Sequence, residues 1–126
     1  MAKERFSGKF KGKKYTVDVN LTVLTWKDKD IYYVYAPALD LTGYDKSLNA
    51  AKDSFTETLN QTLNYMQNKG TIFDELERLG WTVNRKKKRV VAPNHEEILS
   101  DNKHYRDLVK KAGVRKSKRD IELTLA

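Results

Sequence analysis

The chain has 126 residues, 39% of them hydrophobic and 33% charged, the size and composition of one domain with a modest core. It contains no cysteine, which excludes a disulfide framework and a thiolate metal site, and no apolar run approaches the roughly 20 residues of a membrane-spanning helix. The net charge of +8 is uneven: residues 1–83 hold 12 Lys/Arg against 11 Asp/Glu (+1) and residues 84–126 hold 13 against 6 (+7), so attraction for a polyanion or an acidic partner belongs to the C-terminal third.

No apolar segment of a secretion signal follows the first residues, so a cytoplasmic protein is expected. Residues 1–14, with Gly8, Gly12 and several lysines, read as a flexible N-terminal segment. From Tyr15 the pattern alternates, with Val17, Val19, Leu21 and Val23 on one face and Thr16, Asp18, Asn20 and Thr22 on the other, which predicts a half-buried strand. Leu24 and Trp26 shift the alternation by one, marking a bulge or the strand's end. The charged run 27–30 predicts a hairpin loop, and residues 31–36, β-branched and aromatic in succession, the partner strand. Pro37 stops it. Residues 41–45 return as a third antiparallel strand, in which Gly43 signals a bulge or a close approach of another backbone.

After Ser47, a helix N-cap, the period changes: Leu48, Ala51, Phe55, Leu59, Leu63 and Met66 recur three or four apart and form one stripe of a long helix ended by Gly70. Thr71 with Asp74 has capping-box spacing and opens a short helix carrying Ile72, Leu76 and Leu79. Residues 81–83 read as a fourth strand and the basic run at 84–89 as a seam. Asn94 with Glu97 predicts a helix over 94–101, and Tyr105, Leu108 and Val109 continue at helical spacing towards Gly113. Residues 120–125 alternate as a strand does, although Ile121 and Leu125 would also share a helical face.

The expected fold class is therefore α+β: a small antiparallel sheet covered on one face by a long helix, with a C-terminal extension of short helices and a strand. Three segments follow: a flexible stretch 1–14, a core 15–83 and a basic extension 84–126. The order of elements, with Tyr35, Pro37, Leu39, Gly43, Ser47 and Ala51 at their spacing, resembles the HicB antitoxin family over residues 15–83, and the 74–81 stretch that closes the second helix is similar to longer family members. The resemblance implies a partial RNase H-like β-β-β-α-β unit. It also implies a noncatalytic antitoxin that binds and neutralises a small basic RNA-cleaving (HicA-like) toxin. Candidate partner-binding residues are Tyr33 and Tyr35, on the sheet face away from the long helix, and the acids Asp40, Asp45 and Asp53, drawn from an acidic set that also includes Glu57, Asp74, Glu75 and Glu77. A small open sheet leaves unpaired edge groups, so a homodimer or higher assembly is expected.

Metal-assisted hydrolysis would need carboxylates converging on neighbouring elements, and Asp18, on the polar face of its strand, is read as a solvated acid. His95 and His104 are the only histidines and make at most a fragment of a metal site. With no nucleophile-elbow serine and no glycine-rich phosphate loop, neither enzymatic activity nor a cofactor is expected. A second reading is direct RNA or DNA binding through Arg85, Lys86, Lys87, Lys88 and Arg89 and through Arg115, Lys116, Lys118 and Arg119, as phosphate contacts that carry no sequence choice. In one form of it, residues 89–92 are a strand and 94–112 and 114–126 are two helices, a ribbon-helix-helix.

Overall fold

The computed structural model describes residues 6–11, 14–111 and 113–125. Within the segment expected to be flexible, strand β1 (Phe6–Lys11) precedes the 15-residue strand β2 (Lys14–Asp28), which turns through Lys29, at φ 57°, into β3 (Ile31–Ala36) and then β4 (Leu41–Asp45). Helix α1 (Leu48–Lys69) and the short α2 (Ile72–Arg78) follow. Strands β5 (Thr82–Asn84) and β6 (Arg89–Val91) lead to helices α3 (His95–Asp101) and α4 (Lys103–Val109), and β7 (Arg115–Thr124) completes the order. The architecture is α+β, as expected. No helix among the described residues is long and apolar enough to cross a membrane.

Strand β2 is the centre of a five-stranded sheet whose pairings are all antiparallel. β7 runs along it from Thr16 opposite Thr124 to Thr25 opposite Arg115. A strand residue has only two edges, so β1, paired over 14–19, and β3, paired over 24–28, share the opposite edge of β2 end to end. β4 lies outside β3.

Two placements differ from the sequence reading. The strand after α2 does not enter this sheet: β5 pairs with β6 in a separate two-stranded hairpin whose turn is 85–88. Residues 115–124, a helix in the ribbon-helix-helix reading, are a strand locked to β2, which rules that module out. The reason is the alternation of Ile121 and Leu123, which puts both side chains into the core beside Val19 and Val17.

Helix α1 covers the sheet face that carries Val17, Val19, Leu21 and Val23, and its Ala51, Phe55, Leu59 and Met66 are all at most 5% exposed. Burying each large side chain of this set contributes roughly 1.5–3 kcal/mol relative to exposure. The helix starts where the Ser47 Oγ accepts the Ala50 N–H (3.1 Å). It ends at Gly70 (φ 68°), whose N–H donates to the Gln67 carbonyl (3.0 Å), while the Thr71 N–H donates to that of Met66 (2.9 Å). Gly43 shows why α1 lies so close to β4: a Cβ there would come within 2.7 Å of the backbone N, Cα and Cβ of Phe55.

The alternation shift at Leu24 is not a bulge, since the pairing of β2 with β7 and β3 runs through it without interruption. It marks a change in the covered face. Leu24 points away from α1 and packs with Tyr35, its cross-strand partner, beneath Ile98 of α3 and Tyr105 and Leu108 of α4. Helix α3 opens with a full capping box, the Glu97 N–H donating to Asn94 Oδ1 (2.8 Å) and the Asn94 N–H to Glu97 Oε1 (3.1 Å).

Gly43→Ala is expected to lower unfolding free energy in urea by about 3 kcal/mol or more, because the clash is with backbone that cannot swing aside. Gly70→Ala meets open space and costs only the left-handed conformation, about 1 kcal/mol. Equal losses at the two positions would contradict the close approach of α1 to β4.

Candidate partner-binding surfaces

The first basic run sits on the β5–β6 hairpin, and its members differ in what they touch. Arg85 is held by two carboxylates of α2, donating to Asp74 Oδ1 (2.6 Å) and to Glu77 Oε1, and its guanidinium lies 5.5 Å from the Phe73 ring centroid. The Asp74 hydrogen bond holds the guanidinium in its charged form, raising its pKa further. Arg85 therefore fastens the hairpin to α2 instead of presenting a free charge. Lys86 and Lys87 are exposed in the turn, with the Lys87 N–H donating to Asn84 Oδ1 (3.1 Å). Lys88 has φ 51°, and Arg89 is exposed opposite Asn84.

The second run lies on β7, where successive side chains point to opposite faces. Arg115 and Arg119 share the α1 side. Arg119 donates to Thr56 Oγ1 (2.5 Å), and its guanidinium stands 5.1 Å from the Phe55 ring centroid. Lys116 and Lys118 are on the other face, where the Lys118 ammonium donates to Thr22 Oγ1 (3.0 Å). Four cations adjacent in sequence thus form two pairs on two surfaces. On the α1 side a groove of about 320 Å³ gathers Lys52, Asp53, Thr56, Ser117 and Arg119 with Thr25 at its floor. Lys52 and Thr56 are one helical turn apart and Ser117 and Arg119 are two apart on a strand, spacings visible in the sequence, but only the packing of α1 across β7 brings them together.

Of the acidic and aromatic candidates, Tyr35 and Asp40 share a hydrogen bond, while the three acids lie on separate elements. Asp40 and Asp45 flank β4 at its opposite ends, roughly 15 Å apart along the strand. Asp53 belongs to the α1 groove. Tyr35 is corrected outright: it is 2% exposed under α3 and α4, and no partner reaches it. Its hydroxyl accepts from Asn102 Nδ2 (2.9 Å) and donates to Asp40 Oδ1 (3.3 Å). Asn102 also caps α4, its Oδ1 accepting the Tyr105 N–H (2.9 Å). Burial pushes the Tyr35 hydroxyl above the ordinary tyrosine range; the Asn102 hydrogen bond draws it partly back and the Asp40 carboxylate adds to the rise. Tyr105, buried against His95 Nδ1 (2.6 Å), is also raised by desolvation.

Tyr33 stays half-buried within an aromatic row across three strands: its ring stacks on Trp26 (5.2 Å, 12°) and meets Tyr44 at 6.1 Å. The rings face one another, so their flat surfaces serve the sheet and leave the outermost, Tyr44 at 62% exposure, for a partner. Beside Asp40, a groove of about 410 Å³ runs between the 37–40 bend and the second helical layer, lined by Arg78, Pro93, Glu97, Asp101 and Lys103 among others. Glu97 and Asp101 share a face of α3 one turn apart and lie beyond the seam at 84–89, outside the acidic set read from the sequence. Among the described residues no group of three His, Asp or Glu has the geometry to hold a metal ion.

Comparison with protein-family models, with curated proteins and with solved structures gives no match.

Both raised tyrosines bind their protons more tightly folded than unfolded, so their contribution is complete below about pH 10 and is lost as the pH rises through the folded pKa values. Urea unfolding free energy should fall above that pH, and Tyr35→Phe or Tyr105→Phe should flatten the fall. A separate expectation concerns Arg85→Gln, which lowers the thermal midpoint in low salt but much less in high salt, while Lys86→Gln and Lys87→Gln leave it unchanged. An unchanged midpoint for Arg85→Gln in low salt would mean the ion pairs with α2 contribute nothing.

Proposed function

We propose that the chain is a noncatalytic, HicB-like antitoxin-type protein that binds a small basic RNA-cleaving (HicA-like) toxin and neutralises it by covering it, working in the cytoplasm as a homodimer. The observation that supports this most is structural: the residues that carry the resemblance also hold the β2-β3-β4-α1 unit together. Tyr35, Pro37, Leu39 and Ala51 are buried, Gly43 admits the Phe55 backbone, and Ser47 caps α1. A basic partner is met by the groove at the 37–40 bend, where the carboxylates of Asp40, Glu97 and Asp101 outnumber the cations Arg78 and Lys103, and by exposed Tyr44 with Asp45 at the far end of β4. Complementary charge of this kind speeds encounter and sets orientation more than it adds affinity.

A second reading, nucleic-acid binding, rests on the groove where Lys52 and Arg119 gather with the hydroxyls of Thr25 and Ser117 beside the single carboxylate of Asp53, a grouping with more cations than anions and donors suited to a phosphate. Both readings are separated by recovering the tagged chain from the cells that make it, with and without nuclease and at two salt concentrations. The antitoxin role requires a small basic protein retained after nuclease treatment, whose cleavage of RNA stops when the purified chain is added in equal amount, and requires Asp40→Lys with Asp101→Lys to weaken that inhibition. Nucleic acid recovered alone and lost at high salt would overturn it in favour of the second reading, in which case Lys52→Gln with Arg119→Gln should lower the affinity and flatten its salt dependence.

A further inference from the structure

Strand β7 pairs along one side only. Its ten residues lie on β2, and among the described residues no strand occupies its other edge, so a row of main-chain N–H and C=O groups faces outward. A free edge of this length is a template for another strand unless side chains forbid it. A cleft of about 290 Å³ lies between Asn60, Leu63, Asn64 and Gln67 of α1 and the stretch of β7 at residue 122.

The side chains of β7 do not forbid pairing; they specify it. The face turned away from α1 carries Lys116, Lys118, Asp120 and Glu122 at successive same-face positions, opposite Leu24, Thr22, Asn20 and Asp18 of β2, and all four are exposed. Two cations followed by two anions form a pattern that is its own complement when the strand is reversed. We infer that β7 is the homodimer interface: two copies pair antiparallel through this strand with residue 119 on the two-fold axis. Lys116 then lies opposite Glu122 of the second copy and Lys118 opposite Asp120, each pair occurring twice by symmetry.

Neighbouring registers are disfavoured. A slip of one pair in either direction brings Lys118 opposite Lys118 or Asp120 opposite Asp120 on the axis, where like charges repel. The favoured register does set Arg119 opposite Arg119 on the α1 side, but each guanidinium is already drawn to its own helix by Thr56 and the Phe55 ring. Lys118 and Asp120 are each hydrogen-bonded to their own β2, the ammonium donating to Thr22 Oγ1 and Asp120 Oδ1 accepting from Asn20 Nδ2 (2.7 Å), which leaves further ammonium N–H groups and the second carboxylate oxygen for the partner copy. Backbone hydrogen bonds supply the association, and the charge order selects a second copy of this chain over an unrelated strand. The result is one continuous sheet with both α1 helices on the same side. It gives the homodimer of the functional reading an interface and holds whether a toxin or a nucleic acid is bound.

Light scattering coupled to gel filtration on the full chain, across a dilution series, tests this. Wild type should run at twice the 14.6 kDa of the single chain. K116E/K118E, with four acids on the face, and D120K/E122K, with four lysines, should each raise the dimer Kd by about tenfold or more. Mixed in equal amounts, these two should form a one-to-one heterodimer, and the fully exchanged variant K116E/K118E/D120K/E122K should recover the homodimer because its pattern is again self-complementary. Circular dichroism of that exchanged variant separates loss of pairing from loss of folding. A wild-type monomer at every concentration overturns the inference, even one that pairs with a strand of another protein. So does a dimer that neither half-reversal weakens, or a failure of the two half-reversed variants to combine.

Discussion

Val23 and Leu24 are neighbours in the chain, and both are buried, at 3% and 1% exposure. Side chains of successive strand residues point to opposite faces, so at this step of β2 the sheet must be covered on both sides. Most of the architecture follows from that. Before it, the alternation of Val17, Val19 and Leu21 asks only for α1. After it, Leu24 and Tyr35 need a second layer, and the chain supplies one by carrying α3 and α4 to the far face before β7 returns along the other edge of β2. Helices of seven residues are too short to persist alone, so α3 and α4 depend on the apolar surface they cover.

Asn102 ties this second layer to the bend at 37–40. Its carboxamide ends one helix and starts the next, and its free N–H reaches the Tyr35 hydroxyl, which in turn reaches Asp40. A buried hydroxyl without partners would cost about 1–3 kcal/mol, so the one donor and one acceptor around the Tyr35 hydroxyl are what make a tyrosine tolerable at 2% exposure. On the other side of the bend, the Trp81 Nε1–H donates to the Ala38 carbonyl (2.7 Å) and joins the start of the β5–β6 hairpin to the same turn. The bend is thus fixed from both layers, which is why Asp40 is presented at the surface in a defined place even with φ at 53°.

Local pattern and nonlocal pairing divide what was legible in the sequence from what was not. The stripe of Ala51, Phe55, Leu59 and Met66, the caps at Ser47 and Asn94, the stop at Gly70 and the existence of a hairpin turn within 27–30 are readable, because each is decided by residues within a few positions of one another; the turn itself is only 29–30, since Lys27 and Asp28 still pair with β3. The close approach at Gly43 was readable as a choice of two, and the structure selects the backbone contact with Phe55 over a bulge. The parity shift at Leu24 was visible but ambiguous, since a bulge and a change of covered face leave the same trace. The pairing of β2 with β7 spans a sequence separation of about one hundred residues at Asn20 and Asp120, and no local signal announces it. The burial of Tyr35 is hidden from local pattern for the same reason: the helices that cover it lie more than sixty residues away.

The charged runs teach the same lesson about function. A run of basic residues is a patch only if the backbone points its members the same way, and here the hairpin gives Arg85 to the carboxylates of α2 while the strand divides Arg115 and Arg119 from Lys116 and Lys118. The cations of β7 divide by face: one pair lies on the helix side, where a hydroxyl and a ring hold Arg119, and the other lies on the far side, where Thr22 accepts from Lys118. The +7 of the C-terminal third is therefore distributed over several surfaces, and a polyanion touching any one of them meets only part of it. Binding strength in such a molecule depends less on the total charge than on which grooves collect it, and the grooves exist only because β2 is long enough to carry neighbours on both edges and helices on both faces.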